Sequence, residues 1–374
     1  MPCVQHLRQN LTIDMKVLVA MSGGVDSSVA AKLLCDSGNE CVGCTMKLYN
    51  NNDAGISSGH TCCSLDDIED ARSVVHRLGM EHFVFNFSDD FREKIIDKFV
   101  NSYCCGITPN PCIDCNRYMK FDKLFSRADI LGCDHIATGH YARIELENGK
   151  YLLKKAADPS KDQSYVLYSM TQEQLSGTLF PLGGIYKEET RKIAEESGFV
   201  NAKKPDSQNI CFVPDGDYAK VIELHTGKKS LPGNFTDANG TVLGRHCGII
   251  HYTIGQHRRL GISLPEKMYV CRICAKNNTV ILGKESELFG TCATVNDFNW
   301  ISGEAPEKPF RCKAKVRYRQ PEQPATVTPI GKNAVRIIFD EPQRAITPGQ
   351  AAVLYDDETV LGGGVISVEG GECL

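Results

Sequence analysis

Seven residues near the amino terminus, Ser22-Gly-Gly-Val-Asp-Ser-Ser28, combine what an anion needs: bare backbone amides and hydroxyl donors. They follow an apolar run, Lys16–Met21, that reads as a buried strand. They open an amphipathic segment, Ser27–Cys35, that reads as a helix with Val29, Ala30, Leu33 and Leu34 on its apolar face. Gly23 and Gly24 let the chain turn sharply, and the helix start adds unpaired N–H groups and a partial positive charge. Ser22, Ser27 and Ser28 supply hydroxyls. Asp26 suits such a site if a cation bridges it to phosphate, which points to Mg²⁺. There is no Gly-Lys-Ser/Thr as in a Walker A loop, and no third glycine as in a dinucleotide fingerprint. The plain alternative is a strand-to-helix turn that binds nothing.

Cysteine is the second chemical resource, with 18 in the chain. In Thr108-Pro-Asn-Pro-Cys-Ile-Asp-Cys-Asn116, two thiols sit in a segment stiffened by two prolines, a poor place for core residues and a good one for exposed reactive groups. A helix beginning near Asn116 puts Cys115 just before its N-terminus, where thiolate is favoured. Far downstream, Ser207-Gln-Asn-Ile-Cys211 follows the polar, turn-rich Lys203-Lys-Pro-Asp. Cys41-x-x-Cys44 and Cys271-x-x-Cys274 fall in expected strands, where residues three apart face opposite ways, so both pairs read as structural. Cys62-Cys63 and Cys104-Cys105 are vicinal pairs without an identifiable partner. Zinc on Cys112 and Cys115 lacks a second close ligand pair. Most of the remaining thiols read as small buried hydrophobes.

The elements that must position these groups are legible from periodicity. Strands at Cys41–Met46, His82–Phe85 and His135–Thr138 alternate with helices at Asp66–Leu78, Phe91–Tyr103 and Asn116–Leu131. Ser64 and Asp67 read as a capping box. This βαβα order predicts an α/β fold with a doubly wound parallel sheet over residues 1–225. Asn148-Gly149 between two short strands is a hairpin signal. From about Thr226 helical periodicity ends, and short strands such as Met268–Ile273 and Thr279–Leu282 take over. Two smaller β-rich domains follow, at 226–288 and 289–374.

Composition is that of a soluble globular chain, with 42% hydrophobic and 24% charged residues and no apolar run long enough to span a bilayer. Residues 1–14 lack the apolar core of a secretory leader, so the expected location is cytoplasmic. A net charge of −4 excludes whole-molecule attraction to nucleic acid, so any RNA contact must be local. The clearest basic feature is Arg311-Cys-Lys-Ala-Lys-Val-Arg-Tyr-Arg319. As one strand it would place Arg311, Lys313, Lys315, Arg317 and Arg319 on a single face, suited to a phosphate backbone or to a solvated barrel exterior.

Taken together, these motifs resemble the MnmA family of tRNA-uridine 2-sulfurtransferases within the PP-loop ATP pyrophosphatases. The resemblance rests on Ser22–Ser28, Thr108–Asn116, Gly139–Arg143, Lys161–Tyr165, Gln208–Phe212, His251–Gln256, Arg317–Gln320 and Thr347–Gln350, in order through nearly the whole chain. It implies ATP contacts at Ala20, Met21, Ser22, Gly23, Gly24, Val25, Asp26, Ser27, Met46 and Gly139, although Met46 serves equally as core. It implies a persulfide on Cys211 and a nucleophile at Cys115. Asn110, Pro111 and Cys112 are implied at the target base. Further tRNA contacts are implied at His140, Lys161, Asp162, Gln163, Arg317, Tyr318 and Gln350, with the last domain a tRNA-binding β-barrel.

The implied substrates are the anticodon loops of glutamate, glutamine and lysine tRNAs, and the implied partner is a persulfide donor such as a cysteine desulfurase or sulfur-relay protein. Where well-described members carry Asp, this chain has Cys112. That leaves a [4Fe–4S] cluster on Cys112, Cys115 and Cys211 open beside a persulfide cycle that ends in a disulfide. An amidotransferase-type synthetase, a non-catalytic RNA-binding protein and a cytidine sulfurtransferase are the competing classes. The paired thiols, the complete phosphate loop and the β-rich carboxyl half respectively argue against them.

Overall fold

The computed structural model describes residues 15–49, 65–206 and 209–367. Ser64 of the expected capping box, the Cys62-Cys63 pair, Ser207 and Gln208 lie outside the described residues. The described residues pack as two units, one of 15–49, 65–92, 112–206, 209–215 and 358–360, the other of 93–111, 216–357 and 361–367.

In the first unit, β1 (Lys16–Ala20), β2 (Glu40–Lys47), β3 (Glu81–Asn86), β4 (His135–Ala137) and the short β7 (Thr178–Leu179) form one sheet in the order β3-β2-β1-β4-β7, parallel throughout. Val17 and Val19 belong to a cluster with α1 (Val25–Asp36), α2 (Leu65–Leu78) and α3 (Lys187–Glu196). Leu18, pointing the other way, is also fully buried. Burial on both faces is the signature of a doubly wound parallel sheet. β3 lies at the edge and leaves Phe83 and Val84 exposed. The hairpin of β5 (Arg143–Glu147) and β6 (Lys150–Lys154) turns at Asn148 (φ 51°) and Gly149 (φ 78°), as the Asn-Gly pair requires. Burial and strand geometry support the structural reading of Cys41-x-x-Cys44: both residues are buried in β2, and burial pushes the Cys44 thiol up.

Two expected helices differ in construction. The chain from Ser88 to Cys104 is α-helical, then π-helical over Arg92–Ile96, then α-helical again. The helix expected from Asn116 starts at Pro111. An α turn, Pro111–Asp114, runs into a π-helical stretch, Cys115–Lys123, and then an α-helix, Leu124–Ile130. Proline is preorganised for the first helical position, where its missing N–H costs nothing, so Asn110-Pro111 begins the helix earlier than periodicity suggests.

The second unit contains a helix (Tyr218–Thr226) and two β structures. β8 (Gly233–Thr236), β9 (Val242–His246), β10 (Tyr269–Cys274) and β11 (Thr279–Gly283) form a sheet in the order β10-β11-β8-β9. β12 (Phe289–Trp300), β13 (Phe310–Lys315), β14 (Gln323–Pro329), β15 (Val335–Arg344), β16 (Ala351–Asp356) and β17 (Thr359–Ile366) form a barrel, closed by pairing of β12 with β17 around Val295, Ile337, Ala352 and Leu354. The five-cation strand is not observed. β13 ends at Lys315, so only Arg311, Lys313 and Lys315 share a strand face, and Arg317 and Arg319 lie in the turn beyond. Nor is the row without counter-charge, because Arg311 binds both oxygens of Asp340 at 2.6 and 2.5 Å, across the barrel surface.

Candidate active site

The strand order reverses between β1 and β4, which makes the carboxyl ends of these two strands the natural crevice for a ligand. The Ser22–Ser28 loop leaves β1 at that point. Gly23 has φ 73°, and a Cβ there would lie 2.3 Å from the Asp67 carbonyl, so conformation and space both demand glycine. Gly24 is the N-cap of α1, without a side-chain cap. The helix therefore starts at Val25, not Ser27, and Asp26, Ser27 and Ser28 lie within its first turns.

Interior bonds hold this loop. Asn201 Nδ2 donates to the Gly23 carbonyl at 3.0 Å and lies 2.9 Å from Ser28 Oγ, while Lys204 Nζ donates to Gly23 O at 3.3 Å and to Asp67 and Asp70 at 2.6 and 2.7 Å. Ser27 and Ser28 hydroxyls each donate to Gly24 O at 3.0 Å. With the carbonyls engaged inward, the amides of the helix start form the polar surface that can take an anion. The amide of Met21 donates to Cys44 O at 2.7 Å, and its carbonyl accepts from Thr45 Oγ1 at 2.8 Å, tying the loop's root to β2 near Met46.

Asp26, expected to hold Mg²⁺, is paired with a protein cation. Lys187 Nζ donates to its two oxygens at 2.6 and 2.9 Å, and the Tyr141 hydroxyl lies 3.0 Å from Oδ1. Burial, and then Asp26, push the Tyr141 phenol up, so it remains a neutral donor. Lys187 also meets Asp206 at 2.8 Å, and Asp206 accepts from Lys161 at 2.8 Å and Arg191 at 2.9 Å. Burial acts to raise Asp206, and the bonds from Lys161 and Lys187 outweigh it, leaving its pKa lowered. Three cations thus meet two carboxylates beside the phosphate loop, with one positive charge in excess.

Sequence reasoning missed Lys187, Asp206 and Tyr141. One signal was available: Lys187 is the first residue of α3, where the helix dipole favours an acid, and a cation placed against that preference needs another reason to be there.

Of Lys161, Asp162 and Gln163, expected at the tRNA, two turn inward. Asp162 accepts from Ala156 N at 3.0 Å and from Ser164 Oγ at 2.8 Å, and Gln163 Oε1 accepts from Tyr141 N at 2.9 Å. His140 is only 6% exposed, so its ring, as it stands, offers no face to RNA. Gly139 is packed on α1, and a Cβ there would lie 2.8 Å from Asp26 C and Ser27 N, backbone atoms that cannot swing away. Gly139→Ala should therefore displace the first turn of α1 and weaken ATP binding about tenfold or more, roughly 1.4 kcal/mol, as titration calorimetry would show. Unchanged affinity would separate Gly139 from the nucleotide site.

Cys112 and Cys115 follow from the early helix start. Cys112 is exposed in the first turn, while Cys115 is half-buried at the head of the π-helical stretch. The helix-terminus effect expected at Cys115 therefore falls on Cys112. Asn116, beside Cys115, is buried and donates to Val166 O at 3.1 Å, which fixes the stretch. Cys211 is half-buried. Its carbonyl accepts from the Tyr49 hydroxyl at 2.7 Å, and Phe212 meets Phe91 edge-on at 5.8 Å. Among the described residues no three His, Cys, Asp or Glu side chains are grouped to hold a metal ion. Cys112, Cys115 and Cys211, all three of them free thiols, form no such group as arranged.

In the second unit, Arg317 donates to Ile254 O at 3.0 Å and Thr347 Oγ1 at 2.6 Å, while Tyr318 is 39% exposed with Lys315 over its ring. Gln350 Nε2 donates to the carbonyls of Thr108 and Pro109 at 2.9 and 3.3 Å, fixing the approach to Asn110 and Pro111. No helix among the described residues is long and apolar enough to cross a membrane.

A family model described as a tRNA methyl transferase HUP domain matches residues 15–215, and a tRNA methyl transferase PRC-barrel domain matches 219–284. An aminomethyltransferase beta-barrel domain matches 291–366. The chain is 50% identical over 356 residues to a protein of Acetivibrio thermocellus named tRNA-specific 2-thiouridylase MnmA, covering 94% of this chain and 99% of that one. It is 48% identical over 356 residues to one of Clostridioides difficile with the same name, covering 95% and 98%. A third so named, from Carboxydothermus hydrogenoformans, is 49% identical over 355 residues, covering 94% and 97%.

Proposed function

Because the chain belongs to the family of tRNA-specific 2-thiouridylases MnmA, we propose that it replaces the 2-oxygen of the wobble uridine of tRNA with sulfur at the expense of ATP. The domain descriptions speak of methyl transfer, whereas the relatives' names speak of thiolation. The residues favour thiolation. The observation that carries the reading is the phosphate loop at the reversal point of the parallel sheet, in the same unit as Cys115 and Cys211. Methyl transfer needs neither a triphosphate cradle nor paired thiols.

The chemistry then has two halves. A uridine carbonyl is a poor electrophile, and oxide a poor leaving group. The 2-oxygen attacks the α-phosphorus of ATP, and pyrophosphate departs, leaving an adenylated base. In this reading the amides at Val25–Ser27 and the Lys187 ammonium stabilise the phosphates, as electrostatics must in phosphoryl transfer. Mg²⁺ arrives with the nucleotide and offsets charge on its phosphates. In the second half a persulfide on Cys211 delivers its outer sulfur to C2 and AMP leaves. Either the persulfide attacks directly, or Cys115 first frees hydrosulfide from it. In both orders the Cys211 S–S bond breaks, a Cys115–Cys211 disulfide forms, and the two-electron deficit is carried by the thiols. An external dithiol must restore them.

The sulfur comes from a persulfide donor such as a cysteine desulfurase or sulfur-relay protein, and the substrates are glutamate, glutamine and lysine tRNAs. The target base must be unstacked, which costs least in a single-stranded anticodon loop. Purified protein given ATP, Mg²⁺, tRNA, a cysteine desulfurase with cysteine as persulfide donor, and a dithiol reductant should form 2-thiouridine with one AMP and one pyrophosphate per modified base, by nucleoside mass spectrometry and phosphate assay. Methylation from a methyl donor with no nucleotide cleavage would overturn the reading.

A further inference from the structure

The helical stretch that carries Cys115 holds a second polar group that the reaction above leaves unused. Lys120 lies in the same π-helical segment, five residues after Cys115. Hydrogen bonds from i to i+5 stack residues about five apart, which sets the two on one side of the stretch. Both are half-buried, while Asn116, Met119 and Phe121 are buried.

Lys120 Nζ lies 3.3 Å from Nε2 of His140, and His140 Nδ1 lies 2.7 Å from Thr138 Oγ1. The ring is wedged against Phe121 and Phe180. Burial, and then the Lys120 charge, hold His140 well below its usual pKa, so the imidazole is neutral. An ammonium only donates; Nε2 therefore accepts, and Nδ1 carries the ring proton toward Thr138. Elsewhere in this unit Lys123, Lys161, Lys187 and Lys204 meet carboxylates, whereas among the described residues no carboxylate pairs with Lys120.

A surface lysine needs no buried imidazole to hold it. Here one is desolvated and kept neutral to accept from an ammonium whose full charge stays uncompensated. The mount stands at the crevice, because Thr138–His140 directly follows β4 and Gly139 packs on Asp26 and Ser27.

We propose that Lys120 is a substrate-contacting residue whose ammonium binds a phosphate group of the reactants, with His140 and Thr138 as its positioning partners. The inference rests on the thiolation reading. The phosphate has two sources, the nucleotide's α-phosphate or the phosphodiester beside the target uridine, and they respond differently to the same substitution. Lys120→Met keeps the apolar stem and removes the charge, while Lys120→Arg keeps the charge. In the full-length protein, Lys120→Met should retain the wild-type thermal midpoint and lose thiolation about 100-fold. Lys120→Arg should recover to within about tenfold of wild type.

If the contact is to ATP, the turnover number for tRNA-dependent pyrophosphate release falls and tRNA affinity holds. If it is to RNA, tRNA affinity falls and the slope of log affinity against log salt drops by about one. Either result supports the assignment. Wild-type turnover and wild-type tRNA affinity in Lys120→Met would overturn it. So would equal losses in both variants with a lowered midpoint, which mark a purely structural role. A wild-type protein that forms no 2-thiouridine indicts the functional reading instead, and tRNA affinity together with tRNA-dependent pyrophosphate release still judges Lys120.

Discussion

Cys115→Ser gives a protein that binds ATP and releases pyrophosphate when tRNA is present but makes no 2-thiouridine. Serine matches cysteine in shape, so at a half-buried helical position the fold should hold. Its hydroxyl neither ionises near neutrality nor forms a bond to sulfur, so resolution of the Cys211 persulfide stops, a loss of about 1,000-fold or more in sulfur transfer. The persulfide should then accumulate on Cys211, visible as one added sulfur on its peptide by mass spectrometry. The informative control is Cys112→Ser. The helix begins at Pro111, so the electrostatic advantage of the first turn belongs to exposed Cys112 rather than to Cys115. Should Cys112→Ser abolish thiolation while Cys115→Ser retains it, the resolving thiol is Cys112. Loss in Cys115→Ser alone keeps the assignment.

That shift of one helical turn shows what the sequence reveals and what it hides. The parallel sheet was legible because buried strands and amphipathic helices alternate with distinct periods, and the phosphate loop because its glycines answer a local demand. Gly23 shows this, with its positive φ and no space for a Cβ. Periodicity did not locate the start at Pro111, because the turn 111–114 precedes the apolar repeat and only the Asn-Pro pair marks it. The cationic strand was overextended for a related reason: alternation of charge continues through 317 and 319, but hydrogen bonding with the neighbouring strands does not. His140 illustrates a harder limit. The side chains that bury it, Lys120, Phe121 and Phe180, come from distant stretches of the chain, so nothing local announces its burial. The Lys187–Asp26 pair, 161 residues apart in the chain, is likewise a product of tertiary packing.

Lys187→Met should therefore cost both stability and catalysis, and the two losses can be separated. The Lys187 side chain is 8% exposed and meets Asp26 and Asp206, themselves 32% and 23% exposed. Breaking a fully buried pair costs about 3–5 kcal/mol, and the partial exposure of both carboxylates reduces this to about 2–3. A unit of this size should then melt roughly 4–10 °C lower. Asp206 retains Lys161 and Arg191, so the larger disturbance falls on Asp26. Among the described residues its carboxylate is then left with the Tyr141 hydroxyl, next to the loop proposed to receive a triphosphate. An attractive site becomes a repulsive one, and tRNA-dependent pyrophosphate release, measured well below the melting range, should fall about 100- to 1,000-fold. Asp26→Asn distinguishes the two duties of that carboxylate. If it serves only to hold Lys187, the amide frees the ammonium for phosphate, and release stays within about tenfold of wild type. If it bridges Mg²⁺ to the nucleotide, release collapses and partly returns at raised Mg²⁺. Normal pyrophosphate release in folded Lys187→Met would remove the lysine from the reaction and leave it a scaffold between two acids.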